Sequence, residues 1–528
     1  MTSFESPAVD WWVLSPQIVL VAMVLGLLLA SSLAPRALPA WVSTCTSVAT
    51  GAAVGVIAVI QWNSAGFTAR STLAGAFVSD GFSLLLTMLI GAGVVMTALV
   101  AHSALDRYGM TPPEFAALLL ASAAGAVVMV GANDLIVLFL GLESLSIALY
   151  VLIALAGRRA TARESAMKYF VLGAFSSAFF LYGIALVYGS TGSTRLSHIG
   201  EFLESHWLLD EHLLLAGIAL LLVGLGFKVA AVPFHFWAPD VYQGAPSPVT
   251  GYLASIAKAA GFAALARVLF VAFGPHRVAW APIVVGLAFA TLAVGAVMAI
   301  TQTDVKRMLA FSSISHAGFV LVGLSAAGGI GWWAVAVGDE APQVLVIVDH
   351  GAVSSAVFYL VAYSFMALGS FAVLSVMASL GVPSPDAVEQ HPLSRYGGLA
   401  RRRPVLALAF AVLLLAQAGV PLTSGFVAKF EVIRAAVGGK GYVLAAVAMV
   451  TAVVSAFAYL RVVLAMYAPD SDVDEAPVRA RAARPRWGGL PMTSVFAIAI
   501  AVAVTVIVGV LPQRLLEWST DAVFALVP

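Results

Sequence analysis

Residues 224–240 read GLGFKVAAVPFHFWAPD, a run apolar enough to cross a bilayer that nevertheless carries Lys228 and a central Val-Pro pair. Proline has no N–H to donate and leaves a carbonyl one turn back without its partner. In lipid, such a break persists only where it is buried in protein or lines a wet cavity. Residues 415–432, LAQAGVPLTSGFVAKFEV, repeat the pattern with Pro421 and Lys429. Matching interrupted helices in two halves of a membrane chain are the best sequence pointer to an ion path.

The rest of the chain fits that reading. Of its 528 residues, 61% are hydrophobic and 10% charged, against roughly 25% charged in an ordinary soluble domain. Apolar runs of about 20 residues, the length of one bilayer span, number about fourteen. They lie near 14–34, 41–62, 79–102, 114–131, 134–156, 163–190, 212–234, 246–271, 279–300, 305–327, 352–380, 404–435, 441–467 and 490–512. The expected class is an all-α polytopic membrane protein. The two broken helices, seventh and twelfth, are five apart, so helices 4–8 and 9–13 would form two repeats. An odd number of helices per repeat turns the second upside down. The expected division is therefore 1–112 (helices 1–3), 113–275 and 276–468 (the inverted repeats), and 469–528 (a charged loop and helix 14). The acidic start, MTSFESPAVDWW, reads as the lead into a retained first helix.

Loops after odd-numbered helices hold sixteen Lys and Arg, among them Arg107, Lys306, Arg307, Arg395 and Arg461, and loops after even-numbered helices hold five. The positive-inside rule puts the first set in the cytoplasm and both termini outside a bacterial plasma membrane. A net charge of +1 without a basic patch gives no support for nucleic acid. One cysteine, Cys45, excludes a disulfide framework and iron–sulfur ligation within the chain. Neither GxGxxG nor GxxxxGK[ST] is present.

The sharpest signal is charge in mid-span: Glu143, Lys168, Lys228, Lys258 and Lys429, joined by His235 and His316. Each such charge costs roughly 2.5–3.5 kcal/mol on insertion scales, more than Ser or Asn would for structural bonding alone. Desolvation favours the neutral form of a lysine, and a nearby carboxylate restores the charged one. Lysines from four helices, with two His and one Glu, therefore suit proton relay better than a cation site, which needs several oxygen ligands. Lys228 and His235 are spaced two turns apart on one face, with Pro233 bending the helix between them. Lys168 is close enough to a helix end to snorkel, and His316 could bond Ser312 one turn away. Glu114, Asp134 and Asp304 fall at helix ends, where capping or surface placement is expected, and Phe234, Phe236 and Trp237 read as packing rather than a quinone site.

The segments VPFHFWAPDVYQGAPSPVT (232–250), TDVKRMLAFSSISHAG (303–318) and GVPLTSGFVAKF (419–430) resemble the antiporter-like membrane subunits of respiratory complex I, the proton-translocating NADH:quinone oxidoreductase. The stretch VYQGAPSPVT, Lys429 where a paralogue has glutamate, and the lack of a long lateral helix after helix 14 favour one branch of that family. The resemblance implies that Glu143 pairs with Lys228, that Lys258 is the connecting residue and that Lys429 stands at the exit. Lys168, His235 and His316 would occupy polar positions between them. It further implies no cofactor in this chain, with NADH, FMN, iron–sulfur clusters and quinone held by partner subunits of the membrane and peripheral arms. The rivals are a subunit of a multisubunit cation/proton antiporter or membrane-bound hydrogenase, and a non-transporting scaffold.

Overall fold

The computed structural model describes residues 8–33, 39–65, 69–156, 160–206, 211–328, 349–380, 389–468 and 490–523. Thirteen helices in them are long and apolar enough to cross a membrane, and an interrupted helix adds a fourteenth span. In chain order the spans are Ser15–Leu33, Ala40–Ala65, Gly81–His102, Pro112–Gly131, Leu135–Ala154, Ala160–Thr191 and the broken seventh, His212–Val229 followed by Trp237–Gly244. Span 8 is Ser247–Ala272. Arg277–Thr301, Val305–Ala327, His350–Ser379, the broken twelfth (Pro404–Ala418 and Ser424–Gly438), Tyr442–Tyr467 and Met492–Val510 complete the series. The segment 333–351, which the sequence suggests as a short hairpin against a neighbour, lies outside the described residues up to 348, as does the charged loop 469–488.

Spans 8, 10 and 11 are buried along nearly their whole length, whereas a third or less of spans 1, 2, 6 and 14 is buried. The three inner spans have no polar side to turn outward, so hydropathy marks them as helices without ranking their depth. Asp134 caps span 5 by accepting from the N–H groups of Ile136 and Val137, and Asp304 caps span 10 through Arg307 N. Glu114 sits in the first turn of span 4. Asp134 and Asp304 thereby satisfy orphan donors at the positive ends of their helices, whereas Glu114 is exposed and makes no cap hydrogen bond.

Several cations behind the orientation signal, among them Arg461, which the structure places inside span 13 rather than in a loop, turn inward to carbonyls at helix C-termini. Arg107 donates to Ser375 O at 3.1 Å and Arg395 to Met377 O at 2.7 Å, both at the end of span 11. Arg461 reaches Ile300 O at 3.0 Å, at the end of span 9. The apolar pattern does not announce an antiparallel hairpin, Arg70–Thr72 against Phe77–Ser79. Its turn runs through Leu73, Ala74 and Gly75 at positive φ. At the same end of the bundle, Arg267 of span 8 meets Asp80, the N-cap of span 3, at 2.7 Å, and both side chains are buried.

Candidate proton-transfer axis

The break in span 7 begins at Ala230, whose φ of 57° turns the chain out of the helix. The N–H of Ala231 returns to Gly226 O at 2.8 Å, and Trp237 Nε1 donates to Phe227 O at 3.0 Å. The carbonyls released by the break are thus partly satisfied from the far side of it. Lys228 lies in the last turn before the break, and His235 lies in the turn after it. The two do not share one helical face, because the chain leaves the helix between them. His235 is buried, and its Nδ1 has no hydrogen-bond partner among the described residues.

Lys228 Nζ donates to Ser146 Oγ of span 5 at 2.8 Å. Glu143, one turn earlier on span 5, accepts from Ser177 of span 6. No ion pair within 4.0 Å joins Glu143 to Lys228. The expected carboxylate–lysine pair is therefore open here, with Ser146 and Ser177 holding its two halves. Ser146, Ser176, Ser177, Gly173 and Lys228 line a small cavity between spans 5, 6 and 7.

Lys228 also approaches span 8. A Cβ on Gly261 would stand 3.0 Å from its Cγ, and Gly261 is one helical turn beyond Lys258. Immediately before Lys258, residues Leu253–Ala257 form a π-helical turn, the type of irregularity that re-aims the residues following it and recurs at functional sites. Lys258 Nζ donates to the carbonyl and hydroxyl oxygens of Ser313 on span 10, at 2.8 and 2.5 Å.

One turn along span 10, His316 lies between two phenols. Its Nδ1 is 2.6 Å from Tyr359 Oη and its Nε2 is 3.0 Å from Tyr459 Oη. Tyr459, not His316, takes the bond to Ser312. Three residues further, the Phe319 ring faces Lys429 Nζ at 5.1 Å.

Lys429 belongs to the second half of span 12. The first half ends at Ala418, and Gly419 turns the chain at a φ of 91°. Lys429 Nζ donates to the Gln417 and Ala418 carbonyls at 2.9 Å each. A cation thus meets the negative end of a half-helix whose last carbonyls have no helical donor. Gly419 is required twice over, by its φ and because a Cβ there would stand 3.0 Å from Lys429 Cδ.

Glu143, Lys228, Lys258, His316 and Lys429 therefore follow one another across spans 5, 7, 8, 10 and 12. Lys168 stands outside this row. Its side chain is 44% exposed and ion-paired to Glu164 at 2.8 Å and Asp240 at 2.9 Å, because it lies too near the start of span 6 to reach the interior. Trp237 packs on Tyr169 at 4.6 Å between ring centres, as expected of an aromatic in packing, while Phe236 is exposed. The sequence reading missed Ser146, Ser177, Ser313, Gln417, Tyr359 and Tyr459. Ser146, three after Glu143, and the serines of FSSISHAG were open to a search for polar groups sharing a face with a charged one. The two tyrosines carry no such mark.

The NADH:quinone oxidoreductase/Mrp antiporter transmembrane family matches residues 132–338 and 343–455. NADH-quinone oxidoreductase subunit N of Mycobacterium tuberculosis is 42% identical over 419 residues, 79% of this chain and 72% of that protein. Subunit N 3 of Streptomyces griseus is 39% identical over 564 residues, covering 98% and 95% of the two chains. Among solved structures, a chain of Thermus thermophilus respiratory complex I superposes with a TM-score of 0.74 at 30% identity, covering 95% of this chain and 98% of that one. A chain of the Mrp complex from a Dietzia species shares the fold, with a TM-score of 0.79 at 21% identity over 98% of both. A profile spanning most of the chain and relatives matched almost end to end agree: this chain belongs to the NADH:quinone oxidoreductase/Mrp antiporter transmembrane family, within its NADH-quinone oxidoreductase subunit N branch.

Proposed function

We propose that this chain is a redox-inactive, proton-translocating subunit in the membrane arm of NADH:quinone oxidoreductase, and that protons move along Glu143, Lys228, Lys258, His316 and Lys429. The observation that carries the reading is the solvation of the three buried lysines. Among the described residues, the hydrogen-bond acceptors of each ammonium are neutral oxygens: Ser146 for Lys228, Ser313 for Lys258, and two main-chain carbonyls for Lys429. A buried ammonium without a counter-ion is strongly disfavoured relative to its neutral form. Such a group releases its proton when a carboxylate leaves and takes one up when it returns. Glu143 is the carboxylate placed to do this for Lys228, since Ser146, which receives Lys228, and Ser177, which donates to Glu143, line one small cavity with Lys228. Redox energy would enter from partner subunits that hold NADH, FMN, iron–sulfur clusters and quinone.

Spans 4–8 and 9–13 form the two inverted repeats in this reading. Its supports are one broken helix in each and the five-span separation between them. The plasma membrane of a bacterium is the expected location, with the Arg-rich ends of odd-numbered spans in the cytoplasm and both termini outside. Lys168 serves this reading from the rim, where it holds Asp240 and with it the second half of span 7. Proton pumping driven by NADH in inverted vesicles, with Lys228→Ala against wild type and assembly checked on a native gel, tests the proposal. Loss of pumping and quinone reduction in an assembled complex supports it. Unchanged pumping makes the row structural.

A further inference from the structure

A second set of buried ionisable groups lies off this row, at the end of the bundle where spans 8 and 10 begin. Glu389, in the strap that follows span 11, is buried with four donors around it. Its Oε1 accepts from Ser247 Oγ at 2.5 Å and lies 3.0 Å from His391 Nε2. Its Oε2 accepts from Tyr108 Oη at 2.6 Å and from Lys306 Nζ at 3.1 Å. Lys306, counted among the orientation-setting loop cations, is wholly buried and also donates to Ala245 O at 2.6 Å.

The placement of these groups matters more than their number. Ser247 is the first residue of span 8, which carries Lys258. Ala245 closes the second half of span 7, whose Tyr242 ring lies 6.0 Å from Lys258 Nζ. Glu389 therefore holds the first residue of span 8 directly, and through Lys306 it holds the end of the broken helix. The strap is itself tied to span 10, since His391 N donates to Asp304 Oδ2 at 2.8 Å and Val305 N to His391 O at 2.8 Å.

His391 supplies a place for a proton. Against a carboxylate its Nε2 must be the donor, so Nδ1 carries the lone pair and accepts from Tyr396 Oη at 2.8 Å. Uptake from water at Nδ1 converts imidazole to imidazolium and turns the Tyr396 hydroxyl from donor to acceptor. Glu389 Oε1, shared between His391 and Ser247, is then drawn toward the new cation. The strap residues on either side of His391, Gln390 and Pro392, are exposed. The charged and titratable groups facing the pair are Lys306, Tyr108, Tyr396 and Asp304, with Arg107 and Arg395 behind the two phenols.

We infer that Glu389 and His391 form a proton-linked positioning centre that holds the start of span 8, and with it Lys258, and that loses its hold on Ser247 when His391 takes up a proton. The inference rests on the proton-transfer role proposed for Lys258. In the assembled complex in inverted vesicles, NADH-driven pumping of wild type should show an acid-side decline that sets in below about pH 6.5, because burial holds His391 below the usual histidine value. His391→Gln, which leaves the Glu389–Lys306–Ser247 bonds in place, should flatten it, so that the ratio of variant to wild-type rate rises several-fold toward acid. Glu389→Gln should lower the rate at every pH, and Glu389→Asp should restore part of it. An unchanged pH profile in His391→Gln overturns the inference, as does failure of that variant to assemble, which would make the group a structural clamp. Lys258→Ala separates the two claims. Intact pumping there refutes the role of Lys258 itself, whereas lost pumping there beside an unchanged His391→Gln profile refutes only the positioning centre.

Discussion

Lys429 donates to the carbonyl of Gln417, 2.9 Å away, across a gap in its own span. The lysine lies in the half-helix after the break, and the carbonyl closes the half-helix before it. Opening the helix at Gly419 thus creates both the acceptors and the approach by which a charge is held in mid-membrane. Gly419→Ala should disturb both. A non-glycine residue at that φ costs on the order of 1–3 kcal/mol, and the added Cβ presses on the Lys429 side chain. The expected result is a complex that assembles, melts a few degrees lower and pumps more slowly. A wild-type rate would separate the break from the lysine's function.

Ser146→Ala removes the hydroxyl that receives Lys228 Nζ. A hydrogen bond to a charged group is worth about 1.5–3 kcal/mol, so the balance between charged and neutral lysine should move by roughly tenfold or more. Pumping and quinone reduction should fall together, and Ser146→Thr should retain most of both. If Ser146→Ala pumps normally, the ammonium finds another partner and the open pair is not held by Ser146.

Both breaks were legible in the sequence because proline and glycine act on the chain locally, and so were the charges, because apolar surroundings expose them. The partners of those charges were not. Ser313 reaches Lys258, and Tyr459 reaches His316, from spans distant in sequence, and nothing in a serine or tyrosine says which neighbour it faces. The same reason hid Lys306. By sequence it is a loop cation beside Arg307, but the strap carrying Glu389 folds over it and buries it. Lys168 shows the converse, since its position in an apolar run suggested depth while its closeness to the helix start set it on the rim.

Lys168→Ala should therefore be mild. Its pairs with Glu164 and Asp240 are exposed, and exposed ion pairs contribute about 0–1 kcal/mol. Pumping within roughly twofold of wild type is expected, alongside near-complete loss for Lys228→Ala measured in the same vesicles. An equal loss in both would return Lys168 to the proton path.

At the other end of span 8, Arg267 is buried against Asp80 at 2.7 Å and donates through Nε to Val130 O at 2.6 Å. Removing one partner strands the other charge, at a cost of about 3–5 kcal/mol. Asp80 also caps span 3, so Asp80→Ala loses both functions. That variant should lower the melting temperature more than any substitution above, and Asp80→Ala with Arg267→Met should recover part of the loss. No recovery in the double variant would assign the damage to the lost cap.

The Glu389–His391 pair makes stability fall on the acid side. Burial alone would raise the Glu389 carboxyl, but Lys306 and His391 beside it hold it well below the usual range. Its contribution is therefore present above the ordinary carboxylate value and is lost as pH falls through the depressed one. For His391, burial lowers the imidazole below its usual 6.5, despite the opposing pull of Glu389. The unfolded chain then binds the proton first as pH falls through 6.5, and stability declines from there downward. The two signs agree, with histidine acting near neutrality and the carboxylate at lower pH. Melting of the solubilised complex between about pH 7.5 and pH 5.5 should fall for wild type and fall less for His391→Gln, by at most about 1.4 kcal/mol per pH unit for one proton. Parallel melting curves for the two would mean that His391 binds its proton equally well folded and unfolded, and the acid-side loss would then have to come from another group.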